Sequence, residues 1–320
     1  MKILAITGGT GFVGAALTKA AIARGYTPRV LTRRNPALPL KGTQYRLVDF
    51  SDQKTLEAAL EGAHCAVHLA AALFCRSKAE FELANTAGTA NLVSACAKTP
   101  TLTKLVYISS LAAGGPSPDP SRPRAETDGE SPVSFYGSSK LGGETVVKTL
   151  KTPPYVILRP PIVYGRNDSG VSQIASWVKK GLMVNAGSGQ ALFSFVYIDD
   201  LAAAVLKALE NETLNGKTYY VCENKAYPWK EFIALLAKAM DVKMPLMLSL
   251  PPKLMYAAGW LYENISRLSG SPPVFNRDKA REGAAPNWTA SSAAWEKDAA
   301  WPGWTSLEDG IKKTFKPPET

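Results

Sequence analysis

The tightest constraint on this chain lies within its first 25 residues. Residues 2–6 are an apolar run, and the eight residues that follow, Thr7-Gly8-Gly9-Thr10-Gly11-Phe12-Val13-Gly14, carry four glycines. Residues 12–24 then take up helical spacing and stop at Gly25. Strand, glycine turn and helix in that order leave few folds open. Gly8 allows the tight turn, Gly11 lets the backbone approach a pyrophosphate, and Gly14 lets the helix lie close on the strand. An anion there would sit on free N–H groups at the positive end of the helix dipole. A dinucleotide is thereby expected on Thr7, Gly8, Thr10, Gly11, Phe12, Val13 and Gly14.

Further apolar runs at 28–31, 45–48, 65–69, 105–109 and 156–158 predict strands, and the spacing between them predicts helices over 56–60, 80–97 and 134–150. Such alternation predicts an α/β fold, a Rossmann-type doubly wound parallel sheet with ligands at the carboxyl ends of its strands. Residues 1–165 read as the dinucleotide-binding domain. Pro and Gly punctuation begins at Pro160, so residues 166–320 read as a smaller, mostly helical substrate-binding region, with 194–222 returning to the first domain. Helices are predicted there at 170–180, 199–210, 229–240 and 307–315. The aromatic segment 254–268 is expected to pack over a substrate pocket, and the Pro- and Ser-rich stretch 114–132 to be exposed loop.

At 320 residues, 46% hydrophobic and 20% charged, the chain can bury a sizeable core. Lys and Arg outnumber Asp and Glu by 37 to 27, and a net charge of +10 attracts phosphates in general. The basic residues are scattered, with no zinc-ligand spacing and no aromatic-basic RNA motif, so neither a nucleic acid nor a metal is expected. Cys65, Cys75, Cys96 and Cys222 form no CxxC pair, which suits buried thiols in a reducing, cytoplasmic setting. The run at 2–6 is too short for a secretory segment. Residues 242–262, broken by Pro245, Pro251, Pro252 and two lysines, fall short of the ~20 apolar residues of a membrane span. That segment and the positive charge still leave peripheral contact with a membrane surface as an expectation.

Cofactor preference is read at the end of the second strand, where an acidic residue would hold the adenosine ribose of NAD. Here Leu31-Thr32-Arg33-Arg34 offers two guanidinium groups and no carboxylate, which favours the 2′-phosphate of NADP(H), with NAD(H) as the other choice. Tyr136-Gly137-Ser138-Ser139-Lys140 sets Tyr and Lys four residues apart on one helix face. A neighbouring ammonium is expected to bring the phenol toward proton transfer at neutral pH, making Tyr136 the general acid or base. Ser110, at the end of the strand at 105–109, would hydrogen-bond a substrate oxygen.

With these motifs the sequence resembles the extended short-chain dehydrogenase/reductase family, also called the NAD-dependent epimerase/dehydratase family, along nearly the whole chain. The resemblance also rests on Val48-Asp49-Phe50-Ser51-Asp52, His68-Leu69-Ala70-Ala71, the NxxGTxN pattern from Asn85 to Asn91, Arg159-Pro160-Pro161-Ile162-Val163-Tyr164-Gly165 and Phe195-Val196-Tyr197-Ile198-Asp199-Asp200. It implies a catalytic set of Ser110, Tyr136 and Lys140, with Lys140 also holding the nicotinamide ribose. Asp49 and Phe50 would lie at the adenine, and Leu69, Ala70 and Ala71 beside the pyrophosphate. Asn85, Ser109, Pro160, Ile162 and Val163 complete the implied cofactor contacts. His68 and Asp199 are expected to serve the fold, Asp199 as a helix cap.

Two departures narrow the resemblance. Phe193 stands where nucleotide-sugar epimerases and dehydratases carry a phosphate-binding arginine, and Ser110 is followed by Leu111-Ala112-Ala113 rather than by an acidic pair. The pattern is most similar to the dihydroflavonol-reductase and 3β-hydroxysteroid-dehydrogenase branch, through Arg33, Pro272-Pro273, residues 276–282 and Trp304-Thr305-Ser306-Leu307-Glu308. This implies NADPH-dependent reduction of a carbonyl, or oxidation of a secondary alcohol, on a fairly apolar small molecule touched by Leu111 and Phe193. The alternatives are an NAD-retaining sugar-nucleotide epimerase and a non-catalytic dinucleotide sensor or scaffold. Relatives also imply a homodimer through the YxxxK helix and the long helix before it.

Overall fold

The structure is a computed structural model that describes residues 2–119, 121–186, 191–269 and 275–315. Pro272-Pro273 and residues 187–190 of the stretch before Phe193 lie outside these residues. In chain order the strands are β1 (Lys2–Thr7), β2 (Tyr26–Thr32), β3 (Gln44–Leu47), β4 (Cys65–His68), β5 (Lys104–Ile108), β6 (Tyr155–Arg159), β7 (Ile162–Tyr164), β8 (Leu182–Ala186), β9 (Leu192–Phe193), β10 (Phe195–Tyr197), β11 (Thr218–Tyr220), β12 (Tyr227–Pro228) and β13 (Leu246–Leu250). The main sheet has seven strands, ordered β3-β2-β1-β4-β5-β6-β11. Every pairing in it is parallel. The order reverses between β1 and β4, and ligands of such sheets bind at the carboxyl ends beside that reversal.

The helices are α1 (Phe12–Ala23), α2 (Gln53–Leu60), α3 (Lys78–Phe81), α4 (Gly88–Ala97), α5 (Leu111–Gly114), α6 (Phe135–Lys148), α7 (Ser169–Lys179), α8 (Ile198–Glu210), α9 (Trp229–Ala239), α10 (Pro252–Ser269), α11 (Arg277–Ala284), α12 (Ala293–Ala299) and α13 (Leu307–Phe315). Leu4 and Ile6 point to one sheet face, with Val67, Val106 and Val156 beneath α1 and α8. Ala5 points to the other, with Ala66, Leu105 and Ile157 beneath α2, α4 and α6. Alternate residues face opposite sides and both sides are covered, so these strands read as unbroken apolar runs. A third core lies between β7, β10, α7, α9 and α13.

Several expectations change. The single helix read over 80–97 is α3, a π-helical turn at Glu82–Ala87 and α4. The wide turn aims Asn85 at the loop after β4, where its Oδ1 accepts the Ala72 N–H at 2.7 Å and its Nδ2 donates to Ala72 O at 3.0 Å. The stretch 114–132 is not uniformly exposed: Arg124 is fully buried, donating to the carbonyls of Pro116 and Gly129, and its backbone bonds to Thr289 and Ser291. The carbonyls of its own loop and backbone pairing with a distant segment draw it in, which local composition cannot signal. Asp199 caps nothing, because α8 starts one residue earlier and its N-cap is Tyr197. All four cysteines are buried free thiols. Among the described residues no helix is long and apolar enough to cross a membrane, and no group of three His, Cys, Asp or Glu could hold a metal ion.

Candidate active site

The turn after β1 is shaped by what its glycines lack. Gly8 sits at φ +70°, and a Cβ there would lie 2.8 Å from Ala70 N. At Gly14 a Cβ would lie 2.2 Å from Gly8 O and 2.5 Å from Gly9 Cα. Both obstacles are backbone, so neither can move aside. α1 therefore starts hard against the turn, with Gly11 as an N-cap that offers no side-chain partner. Ala15 N is the first helical N–H to reach Gly11 O, which leaves the N–H groups of Phe12, Val13 and Gly14 for an anion. Thr10 and Gly11 are exposed at this end. The cradle fits a pyrophosphate.

Arg33 and Arg34 are exposed just past β2, and neither guanidinium has an ion pair among the described residues. Asp49 is exposed after β3. Its Oδ1 accepts the Ser51 N–H and hydroxyl at 2.8 and 2.7 Å, which holds the carboxyl below its usual range. Phe50 stacks on His68 at 6.1 Å. Leu69, Ala70 and Ala71 follow β4 beside Gly8.

Three residues expected at the cofactor have their side chains committed elsewhere. Thr7 is buried, and its hydroxyl accepts the Leu69 and Ala70 N–H groups and bonds His68 Nδ1 at 2.7 Å, tying β1 to β4. Asn85 spends its amide on Ala72 and on Ser139 Oγ. Ser109 donates to Glu144 Oε1 at 2.5 Å, away from the cleft. His68 Nε2 meets Thr89 Oγ1 at 3.0 Å, and burial holds the imidazole down to about 3, hence neutral. Of the remaining expected contacts, Pro160 is buried, Val163 packs against the core, and Ile162 lines the cavity described next.

That cavity, of about 440 Å³, opens above the carboxyl ends of β5 and β6. Ser110, Leu111, Tyr136, Ile162 and Phe193 all face it. Ser110 caps the short α5, accepting the Ala112 N–H at 3.1 Å. Lys140 lies one turn after Tyr136, buried, donating to Ile108 O at 2.8 Å with its ammonium 4.3 Å from the Tyr107 ring centre. The electrostatics differ from the expectation of a lowered phenol. Burial, then the Glu282 carboxylate, push Tyr136 up to about 12, against a smaller downward pull from Ser110. Burial brings Lys140 down to about 7, opposed by Glu144. Desolvation outweighs the attraction that spacing alone suggests, so the phenol holds its proton across the neutral range.

Beneath α6 lies a buried ion pair. Arg159 Nη2 and Nε reach Glu144 at 2.6 and 2.8 Å, and Arg159 also donates to Glu130 and to the Tyr220 hydroxyl. It locks the helix carrying Tyr136 and Lys140 onto β6. The other end of α6 is held by α11: both carboxylate oxygens of Asp278 accept the Phe135 N–H at 3.0 Å, and Ser134, which caps α6 through the Gly137 N–H, donates to Glu282. Glu282 pairs with Lys279 at 2.6 Å, and the Lys279 ammonium lies 5.3 Å from the Tyr136 ring centre.

Sequence reasoning missed Lys279, Glu282, Asn185, Trp229 and Trp288 as cavity residues. Residues 276–282 stood out only through resemblance, with no role attached. Asn185 is buried, and among the described residues its Oδ1 has no hydrogen-bond partner. Trp229 packs on Phe193 with the rings tilted and their centres 5.3 Å apart, closing one apolar wall. Trp295 is fully buried and the Trp301 and Trp304 rings pack on it in turn, whereas Trp177 and Trp260 are exposed.

A family model described as NAD dependent epimerase/dehydratase family matches residues 4–222. The chain is 29% identical over 315 residues to a ceramide reductase of Caulobacter vibrioides, covering 98% of this chain and 93% of that protein. It is 27% identical over 329 residues to a 2-alkyl-3-oxoalkanoate reductase of Stenotrophomonas maltophilia, covering 98% of each. Among solved structures, the Thermus thermophilus UDP-glucose 4-epimerase in complex with NAD superposes with a TM-score of 0.77 at 23% identity, over 98% of this chain and 97% of that one. That last likeness speaks for the fold.

Proposed function

The chain belongs to the NAD dependent epimerase/dehydratase family, and from that premise we propose that it is an NADPH-dependent reductase of apolar carbonyl compounds. It is an NAD(P)-dependent oxidoreductase acting on a carbonyl or alcohol, and its cofactor is a nicotinamide dinucleotide. The 2′-phosphate preference rests on the free guanidinium groups of Arg33 and Arg34. The Gly8–Gly14 cradle and the N–H groups of Phe12, Val13 and Gly14 would hold the pyrophosphate, Asp49 and Phe50 would flank the adenine, and Lys140 would hold the nicotinamide ribose. The nicotinamide supplies or accepts the hydride equivalent.

The observation that carries the reading is the cavity in which Ser110 and Tyr136 face apolar walls. The Tyr136 phenol holds its proton at neutral pH and can pass it to the oxygen of a carbonyl as it is reduced. Ser110, facing the same cavity, donates to that oxygen and steadies its developing charge. The buried Lys140 Nζ, donating to Ile108 O, lies one helical turn below the phenol. Leu111, Phe193, Ile162, Trp229 and Trp288 give the substrate apolar walls, and Asn185 Oδ1, without a partner among the described residues, would accept a substrate O–H or N–H. The names ceramide reductase and 2-alkyl-3-oxoalkanoate reductase support an alkyl-bearing carbonyl substrate. The epimerase reading is less well supported, since Phe193 packs on Trp229 and offers no charge to a sugar nucleotide's phosphates. A homodimer is part of the proposal, through the exposed Leu83 and the small residues Ala87, Ala90 and Gly142 along the groove beside α6; light scattering tests it.

Fluorescence titration of the dinucleotide-stripped protein with NADPH and NADH tests the reading. Tight, reversible NADPH binding, weakened at least tenfold by Arg33→Ser with NADH binding unchanged, is the expected result. Co-purified NAD, or a preference for NADH, would send the assay to sugar nucleotides instead.

A further inference from the structure

Resting on the reductase reading, we propose that α10, the ribbon of β8 and β13, and the end of α7 form a docking face for an anionic lipid surface, through which an apolar substrate reaches the cavity. The face starts from a helix turned inside out. Gly259 and Glu263 of α10 lie against the start of α11, with Ser266 buried on the same side: a Cβ on Gly259 would meet Asn276 C at 2.8 Å, and Glu263 pairs with Arg277 at 2.9 Å. The opposite side presents Leu254, Leu261 and Ile265, each at least 55% exposed, flanked by Tyr256, Trp260 and Tyr262. A helix of a water-soluble protein ordinarily buries the apolar side and exposes the polar one. This arrangement matches a helix lying in a membrane interface, with Trp and Tyr at headgroup depth.

The apolar face continues beyond the helix. In the parallel ribbon Leu246 pairs with Leu182 and Leu248 with Val184, so these four side chains share one side of it, and all four are exposed. Met183, between them in sequence, faces the core. Val184 also lines the cavity, which makes the outer apolar surface continuous with the substrate site. A contiguous patch of this kind marks an interaction surface.

Charge identifies the occupant. Residues 169–186 and 242–262 together contain Lys179, Lys180, Lys243 and Lys253 and no Asp or Glu. All four lysines are exposed and none joins an ion pair among the described residues. Anionic headgroups complement that rim. A symmetric second copy would set these four lysines against the same four of its partner.

The test is co-sedimentation of the full chain with phosphatidylcholine vesicles, with and without phosphatidylglycerol. We expect binding to the anionic vesicles, roughly tenfold or more above that to phosphatidylcholine alone and reduced by added salt. The Leu261→Glu/Ile265→Glu double variant should lose this binding while retaining wild-type NADPH affinity, which shows that it folds. Turnover of a long-chain ketone carried in those vesicles should fall at least tenfold in the variant, with turnover of a short water-soluble ketone unchanged. Absence of vesicle binding would overturn the proposal, as would equal losses on both ketones, or a wild-type dimer that the double variant converts to monomer. If no carbonyl compound is reduced by either protein, the reductase reading fails, while vesicle binding still decides the docking face.

Discussion

Glu144→Gln removes one charge from a pair that solvent does not reach. Glu144 and Arg159 are 0% and 2% exposed and meet at 2.6 Å, with Ser109 donating to the same carboxylate. Breaking a buried pair by removing one partner costs about 3–5 kcal/mol, because the surviving charge is stranded. Arg159 keeps two other acceptors, Glu130 at 3.0 Å and the Tyr220 hydroxyl at 3.1 Å. Glu130 is 38% exposed and already engaged, so it offsets only part of the loss, and the expected cost is about 2–4 kcal/mol. Replacing both members, Glu144→Gln with Arg159→Met, leaves no stranded charge and should recover at least half of it. Urea denaturation at pH 7 followed by tryptophan fluorescence measures both variants. A single substitution costing under about 1 kcal/mol, or a double variant no more stable than the single one, would refute the claim that this pair anchors α6. The same substitution removes the charge that opposes the burial of Lys140, so the Lys140 pKa should fall below about 7.

Tyr136→Phe should bind NADPH as the wild type does and lose at least about a hundredfold in turnover, measured by absorbance of the reduced dinucleotide; retained turnover would remove the phenol from the chemistry. Glu282→Gln takes away a carboxylate that raises the Tyr136 pKa. The alkaline limb of carbonyl reduction, where the phenol loses its proton, should therefore move to lower pH, and a limb that stays or rises would show that Glu282 does not act on Tyr136. His68 is held to about 3 by burial, against 6.5 in an unfolded chain. Its contribution to stability is complete above pH 6.5 and drains away as pH falls toward 3, because the unfolded chain takes the proton first. Urea midpoints between pH 6 and 4 should fall less steeply in His68→Gln than in the wild type; parallel slopes would count against a neutral buried imidazole.

Much of the site was legible because its parts are local. The turn Thr7–Gly14 is visible as four glycines between a strand and a helix, and the atoms that a Cβ would strike at Gly14 belong to Gly8 and Gly9 of the same turn, whereas those at Gly8 belong to Leu69 and Ala70 of the loop after β4. Tyr136 and Lys140 are one helical turn apart, so their shared face follows from periodicity. Glu282 and Asp278 lie 146 and 142 residues from Tyr136 in sequence, and no spacing rule links them to it. Their contact with the start of α6 arises only when the C-terminal region folds over the sheet.

From the sequence alone the parallel sheet, its first six strand segments, and the cradle and acid it would present are legible, because hydrophobic period and glycine sterics act over a few residues. Tertiary structure alone decided the state of the acid. Tyr136 beside Lys140 suggests a lowered pKa, yet desolvation by the surrounding fold and the approach of Glu282 raise it. It also decided the fate of apolar residues. The pattern of 254–268 predicts a face packed over a pocket, whereas Gly259 and Glu263 are the side that finds a partner in α11, and Leu254, Leu261 and Ile265 are left outward. Periodicity states that a helix has two faces; which of them is buried depends on the shape and charge of the neighbour it meets.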